Sequence, residues 1–270
     1  MTNVVIGAGS GMGAAVARQL APRGRLLLAD QNPAAAEATA KALGGDVQAF
    51  GCDITDQAQI DALFAEVDEL GALVSTAGVS GSMAPGPRII EVNLMGTARV
   101  LRAAEPLLRV GSVAVCVASQ SGYMVPENRE LFELLQEPLA DGFLDKLRTF
   151  FDLDQPGLAY QVSKRGVHRL VRHTAASWGA RGARIMSVSP GINDTPMNRS
   201  DEAKHPIMLD IIKNSPLGRR GTPEEIANVI SFITTDAASL LTGSDVLADG
   251  GMVSVLPQAW DGKLPSPSDS

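Results

Sequence analysis

Short runs of consecutive apolar residues alternate along the chain with longer stretches whose apolar positions recur every three or four residues. The runs at 3–6, 25–30, 46–52, 72–75, 111–118, 183–189 and 245–248 predict seven strands, most of them buried on both faces. Between them, 13–23, 33–43, 55–70, 89–110, 158–179 and 223–234 carry helical spacing. In 55–70 a Thr/Asp start supplies caps, and Ile60, Leu63, Phe64 and Val67 share one face.

Strands alternating with helices predict an α/β, single-domain, doubly wound parallel sheet of Rossmann-like type, because parallel crossovers are right-handed. No repeat or linker interrupts it, so residues 1–256 read as one domain. One helical insertion, about 126–156, precedes the helix at 158–179. Leu131, Leu134, Leu135, Leu139, Phe143, Leu144, Leu147, Phe150 and Phe151 recur there at helical spacing, with Pro138 and Gly142 as breaks, so two helices are expected. Such a pair either caps a neighbouring site with apolar surface or covers the sheet and buries its own stripe. Residues 257–270 have little to bury and read as a flexible tail.

Composition narrows the function. Against 23 Lys+Arg stand 30 Asp+Glu, a net charge of −7 with no basic cluster, which argues against nucleic acid or anionic membrane as a partner. No stretch reaches the roughly 18 apolar residues of a membrane span. The first predicted strand starts at residue 3, which leaves no room there for a secretion signal. Cys52 and Cys116 are the only cysteines and lie in apolar runs, so a reducing, cytoplasmic compartment is expected. His168, His173 and His205 have no i, i+4 pairing, and no metal site is expected.

The first strand runs directly into Gly7, Gly11 and Gly13, with Met12 in the same turn. Backbone without side chains there lets a pyrophosphate approach a helix N-terminus, where free N–H groups attract anions. Asp30 ends the second strand, where a carboxylate accepts both adenosine ribose hydroxyls and repels a 2′-phosphate. The next residues, Gln31, Asn32 and Pro33, offer no cation for that phosphate, so NAD is expected over NADP. Asp53 and Ile54 follow the third strand; Asp53 is placed either to hydrogen-bond an adenine amino group or to cap the next helix. Tyr160 and Lys164 share a helix face at i, i+4. A phenol with a pKa near 10 is a poor proton carrier at neutral pH, and a nearby ammonium lowers that value.

Together these residues resemble the short-chain dehydrogenase/reductase family over about residues 3–251. The resemblance rests on the glycines, Asp53, Ala77-Gly78, Asn93, Ser119, Tyr160 and Lys164, Pro190-Gly191 with Thr195, and the 249–251 Asp-Gly-Gly, all in the family's order. It implies Tyr160 as general acid/base and Lys164 as the group that lowers its pKa and holds the nicotinamide ribose. It further implies Ser119 as donor to the substrate oxygen and Asn93 as holder of a relay water. Ala77, Gly78, Pro190, Gly191, Asn193 and Thr195 would complete the cofactor site.

The implied activity is NAD-dependent interconversion of a secondary alcohol and a ketone, on an apolar, steroid-like substrate. NADPH-dependent carbonyl reduction and a non-catalytic nucleotide sensor are the alternatives. Ser119 and Tyr160 stand 41 positions apart, a long spacing similar to the bacterial 3α-hydroxysteroid dehydrogenase/carbonyl reductase branch. Residues 197–215 are expected to form a lid. Departures from the family pattern are Ile6, Ser75-Thr76, Met186 and Asn193. A homo-oligomer is expected, a dimer through 223–251 rather than a tetramer. Ile226, Val229, Ile230 and Ile233 would line its interface, and the insertion would obstruct the surface formed by the long helices.

Overall fold

The computed structural model describes residues 1–204 and 207–255; the predicted tail at 257–270 lies outside them. The first half runs β1 (Thr2–Ile6), α1 (Gly11–Leu20), β2 (Leu26–Asp30), α2 (Pro33–Leu43), β3 (Val47–Gly51), α3 (Gln57–Phe64) and β4 (Leu70–Ser75). Next come α4 (Gly86–Ile90), α5 (Thr97–Ala104), β5 (Val113–Val117), α6 (Arg129–Leu134), α7 (Phe143–Leu147) and α8 (Pro156–Gly179). The chain continues through β6 (Arg184–Pro190), α9 (Pro196–Lys204), α10 (Ile207–Asn214), α11 (Pro223–Ile233), β7 (Asp245–Ala248) and α12 (Met252–Val255).

All seven strands pair in parallel in the order β3-β2-β1-β4-β5-β6-β7. The order reverses between β1 and β4. In such sheets, ligands bind beyond the carboxyl ends of the strands at that reversal.

Each sheet face carries its own core. Val5, Leu28, Val74 and Val115 meet α1 and α11 on one side, with Met186 in the same cluster. Ile6, Leu73 and Cys116 belong to the other, which takes in α3, α5 and α8. Leu131, Leu135, Phe143, Leu147, Phe151 and Leu153 of the insertion are buried in this second cluster with Val162, Val167 and Trp178 of α8. Burying a side chain of this size stabilises by about 1.5–3 kcal/mol relative to exposure. The insertion thus forms two helices and commits its stripe to the core. Cys52 and Cys116 are buried free thiols, and burial pushes them up to about 11 and about 12.

Three sequence expectations need correction. The helix expected at 55–70 covers only Gln57–Phe64, capped by Asp56, whose carboxylate accepts the N–H groups of Ala58 and Gln59. Leu70 instead pairs with Thr2 at the start of β4, because sheet register outweighs helical periodicity there. The helix expected at 89–110 starts at Gly86, passes through a π-helical turn over Glu91–Gly96, and leaves α-helix at Ala104. Pro106, lacking an N–H, lies two residues beyond. Finally, Ile226, Ile230 and Ile233 of the supposed interface stripe are buried against the sheet. A helix covering a sheet face needs its apolar stripe for the core.

Candidate active site

Gly7 leaves β1 at φ 82°, and a Cβ there would lie 2.6 Å from Thr76 Oγ1. A Cβ on Gly13 would overlap the Gly7 carbonyl oxygen, so α1 can approach the loop only with glycine at that position. The Thr76 hydroxyl donates to the Ile6 carbonyl at 2.9 Å and ties β4 to this loop, a role that suits the unusual Ser75-Thr76 pair. Ser10 precedes α1 with no side-chain cap, which leaves first-turn N–H groups directed at the cleft.

The cleft, about 390 Å³, is lined by Gly7, Gly11, Met12, Gly13, Asp30, Asp53, Ile54, Ala77, Gly78 and Thr195. No lysine or arginine lines it among the described residues. The close glycine turn, the uncapped helix and the carboxylate at the end of β2 suit a dinucleotide.

Asp30 Oδ2 accepts the Gly9 N–H at 2.9 Å and Oδ1 that of Asn32 at 2.9 Å. Each oxygen keeps a further lone pair for a hydroxyl. Asp53 is more committed. Its Oδ1 accepts the Thr55 N–H (2.9 Å) and hydroxyl (2.8 Å), and its Oδ2 pairs with Arg88 at 3.1 Å. Burial raises its pKa, but these donors outweigh burial and hold it below the usual carboxylate value. The cap of α3 belongs to Asp56, so of the two roles weighed for Asp53 the capping one falls to its neighbour.

Beyond Gly78 lie the candidate chemical groups. A Cβ on Gly78 would sit 3.0 Å from Asn93 Oδ1 and 3.5 Å from Lys164 Nζ. Lys164, buried on α8, donates to the Val117 carbonyl at 3.0 Å, and its Nζ is 5.8 Å from the Tyr160 ring centroid. Ser119 follows β5, and its hydroxyl accepts the Ser121 N–H at 3.1 Å. Burial pushes the Tyr160 phenol above its ordinary 10; the Ser119 hydroxyl pulls it back, and the Asp201 charge adds to the rise. Burial pulls Lys164 down to about 8. Burial therefore dominates both groups, and the Ser119 hydroxyl favours the phenolate.

Asn93, buried in the π-helical turn, accepts the Val79 N–H at 2.8 Å and donates to Val79 O at 2.9 Å and Ser163 Oγ at 3.1 Å. Its side chain clamps the strand-end segment to α8 and keeps one Oδ1 lone pair. Pro190 ends β6, where it pairs with Ala248. Gly191 and Asn193 border a separate cavity of about 200 Å³. The Asn193 side chain folds back to donate to Gly191 O at 2.8 Å, so of this loop Thr195 reaches the cleft.

Sequence reasoning missed Asp201. It lies on α9, within the expected lid, and accepts the hydroxyls of Ser80 (2.8 Å) and Ser82. Lys204 donates to Ser82 O at 3.0 Å, and Glu202 pairs with Arg220. No local spacing links positions 80 and 201, so nothing in the sequence pattern marked this cluster. Residues 205–206 of the expected lid lie outside the described residues.

Comparison with known proteins gives the same outline. Residues 2–130 match the family model for short chain dehydrogenase, and residues 153–253 match that for Enoyl-(Acyl carrier protein) reductase. The D-threitol dehydrogenase of Mycolicibacterium smegmatis is 33% identical, over 92% of this chain and 91% of its own. A short-chain dehydrogenase/reductase of Alternaria brassicicola is 32% identical, over 94% and 96%. Among solved structures, the 3-alpha-hydroxysteroid dehydrogenase from Pseudomonas sp. B-0831, complexed with NADH, superposes with a TM-score of 0.76 at 25% identity, covering 96% of this chain and 99% of its own.

Proposed function

The chain belongs to the short-chain dehydrogenase/reductase family and is an oxidoreductase of alcohol groups, and from that premise we propose an NAD-dependent dehydrogenase of secondary alcohols. The observation that carries the proposal is the meeting of Ser119, Tyr160 and Lys164 across Gly78 from a glycine-lined cleft.

NAD, when bound, supplies the hydride acceptor for the alcohol carbon. Tyr160 takes the hydroxyl proton, and in the reverse direction returns it to the carbonyl oxygen. Ser119 donates a hydrogen bond to that same oxygen, where negative charge develops as the carbonyl is reduced. Lys164, fixed by the Val117 carbonyl, holds its charge beside the ring. Asn93 is a positioning residue that sets the strand-end segment through Val79. Asp30 accepts the ribose hydroxyls and opposes a 2′-phosphate by charge, in a cleft that no lysine or arginine lines among the described residues.

For the substrate we infer a hydroxyl-bearing molecule of polyol type. The insertion, the main reason to expect an apolar substrate, buries its stripe in the core. Asp201, held by Ser80 and Ser82, is near enough to raise the Tyr160 pKa and offers a hydroxyl acceptor there. The D-threitol dehydrogenase relative is consistent with that chemistry.

Initial rates on D-threitol, galactitol, cyclohexanol and a hydroxysteroid, each with NAD and NADP, test both points. The expected result is kcat/KM at least tenfold higher with NAD, and higher for polyols than for the steroid. Asp30→Ala narrows the cofactor ratio. A wild-type preference for NADP refutes the role of Asp30, and a preference for the steroid refutes that of Asp201.

A further inference from the structure

A second cleft, about 1100 Å³, opens between α6, α8 and the start of β7. Arg165, Arg169 and Arg172 line it at intervals of four and three residues along α8. They therefore form one row, about 10 Å long at 1.5 Å rise per residue. The Arg165 and Arg169 guanidiniums lie over the Phe132 ring at 4.5 and 5.0 Å from its centroid. The shared ring holds the two guanidiniums side by side in the cleft.

No carboxylate is seated on the row. Among the described residues no carboxylate ion-pairs with any of the three, and the buried Nε atoms of Arg165 and Arg169 have no hydrogen-bond partner. Two of the cleft's acids are engaged elsewhere. Glu133 pairs with Arg129 at 2.8 Å. Asp245 accepts the Tyr123 hydroxyl at 2.8 Å and the Ser187 hydroxyl at 2.5 Å, with His168 at 3.5 Å. Glu127 acts on Arg165 and Arg169, and Asp245 on Arg165, through charge and without an ion pair. Burial, and then each next arginine in the row, disfavours the charged forms of Arg165 and Arg169. A concentration of unpaired positive charge on a chain of net charge −7 is not a sample of a generally basic surface.

We propose that this cleft is a binding site for a phosphate-bearing anion of diphosphate type, separate from the dinucleotide cleft. Guanidinium edges match phosphate oxygens in pairs, and two linked phosphates span adjacent members of a row that one phosphate cannot cover. The cleft shares α8 and the turn bearing Tyr123 with the catalytic groups, so its test must read binding and not turnover.

The test is calorimetric titration of inorganic pyrophosphate into the full chain at saturating NADH, which keeps the probe out of the glycine-lined cleft. NADH binding is followed separately by fluorescence. The wild type is expected to take one pyrophosphate per chain, with affinity at least tenfold weaker in R169Q/R172Q and unchanged in R102Q. Should the double variant lose NADH binding and so prove misfolded, R172Q alone decides, with at least a threefold loss expected. No saturable binding to the wild type, or equal affinity in the variants, overturns the proposal. It is equally overturned if pyrophosphate does not bind and R169Q/R172Q instead changes the sedimentation coefficient, which marks the cleft as a contact between copies.

Discussion

Tyr160 and Lys164 could be found in the sequence because one helix places positions four apart on one face, whereas Asp201 could not, since its neighbours Ser80 and Ser82 are over a hundred positions away. The roles of the pair are separable by measurement. Tyr160→Phe keeps the ring and its packing but removes the proposed proton carrier, so turnover is expected to fall by about 10²–10⁴ with NADH binding retained. Near-normal turnover at neutral pH refutes the role. Lys164 gives a pH signature. Its pKa is about 8 in the folded chain against an ordinary 10.5, so below 8 both states hold the proton and the full cost of the buried charge is present. Between the two values the unfolded chain still holds a proton that the folded chain has released, and stability rises with pH. The gain approaches an order of 3 kcal/mol for the whole window. Urea unfolding of the wild type and Lys164→Met at pH 7.5 and 10 reads it as a shift of the difference in favour of the wild type at the higher pH. Comparing the two proteins at each pH cancels the groups that titrate independently of Lys164. A difference that does not change with pH refutes the buried ammonium.

At the scale of elements, periodicity located every strand and the major helices, and erred where two demands met in one segment. Leu70 is apolar in either setting, and pairing with β1 decided its state. The π-helical turn around Asn93 left no periodic trace, because one extra residue per turn does not change which residues are apolar. For the insertion, spacing predicted two helices but could not say which surface they cover, since an apolar stripe looks the same against a core and against a ligand. Phe151 separates these cases. It is fully buried in the cluster shared with α8 and does not line the dinucleotide cleft. Phe151→Ala is expected to cost about 3–5 kcal/mol in chemical unfolding through the cavity it leaves. Cofactor KM should stay within twofold. A change in substrate KM of tenfold or more with stability intact would restore the insertion to the active site.

For the whole molecule, the remaining question is which surfaces another copy can use. The insertion covers the α8 flank: Phe132 lies under Arg165 and Arg169, and Glu137 contacts His173 at 3.1 Å. A four-helix contact through α5 and α8 would have to displace that layer. β7 ends the strand order as an edge strand, and an unpaired edge invites association. The face of α11 toward α1 is occupied, with Gln19 donating to Asn228 at 2.5 Å and Arg18 pairing with Glu224 at 2.8 Å. Ile226, Ile230 and Ile233 are in the core, and the exposed large apolar side chains of 223–251 among the described residues are Phe232, half exposed, Leu240 and Leu247. A twofold contact there buries both copies of the edge with one closed symmetry element. A homodimer through 223–251 is therefore expected in sedimentation velocity at micromolar concentration. Phe232→Glu, which places a charge on that apolar surface, is expected to shift the dimer to monomer with secondary structure unchanged. A wild-type tetramer refutes the obstruction by the insertion. A dimer that survives Phe232→Glu assigns association to another surface and leaves the chemistry of Ser119, Tyr160 and Lys164 unaffected.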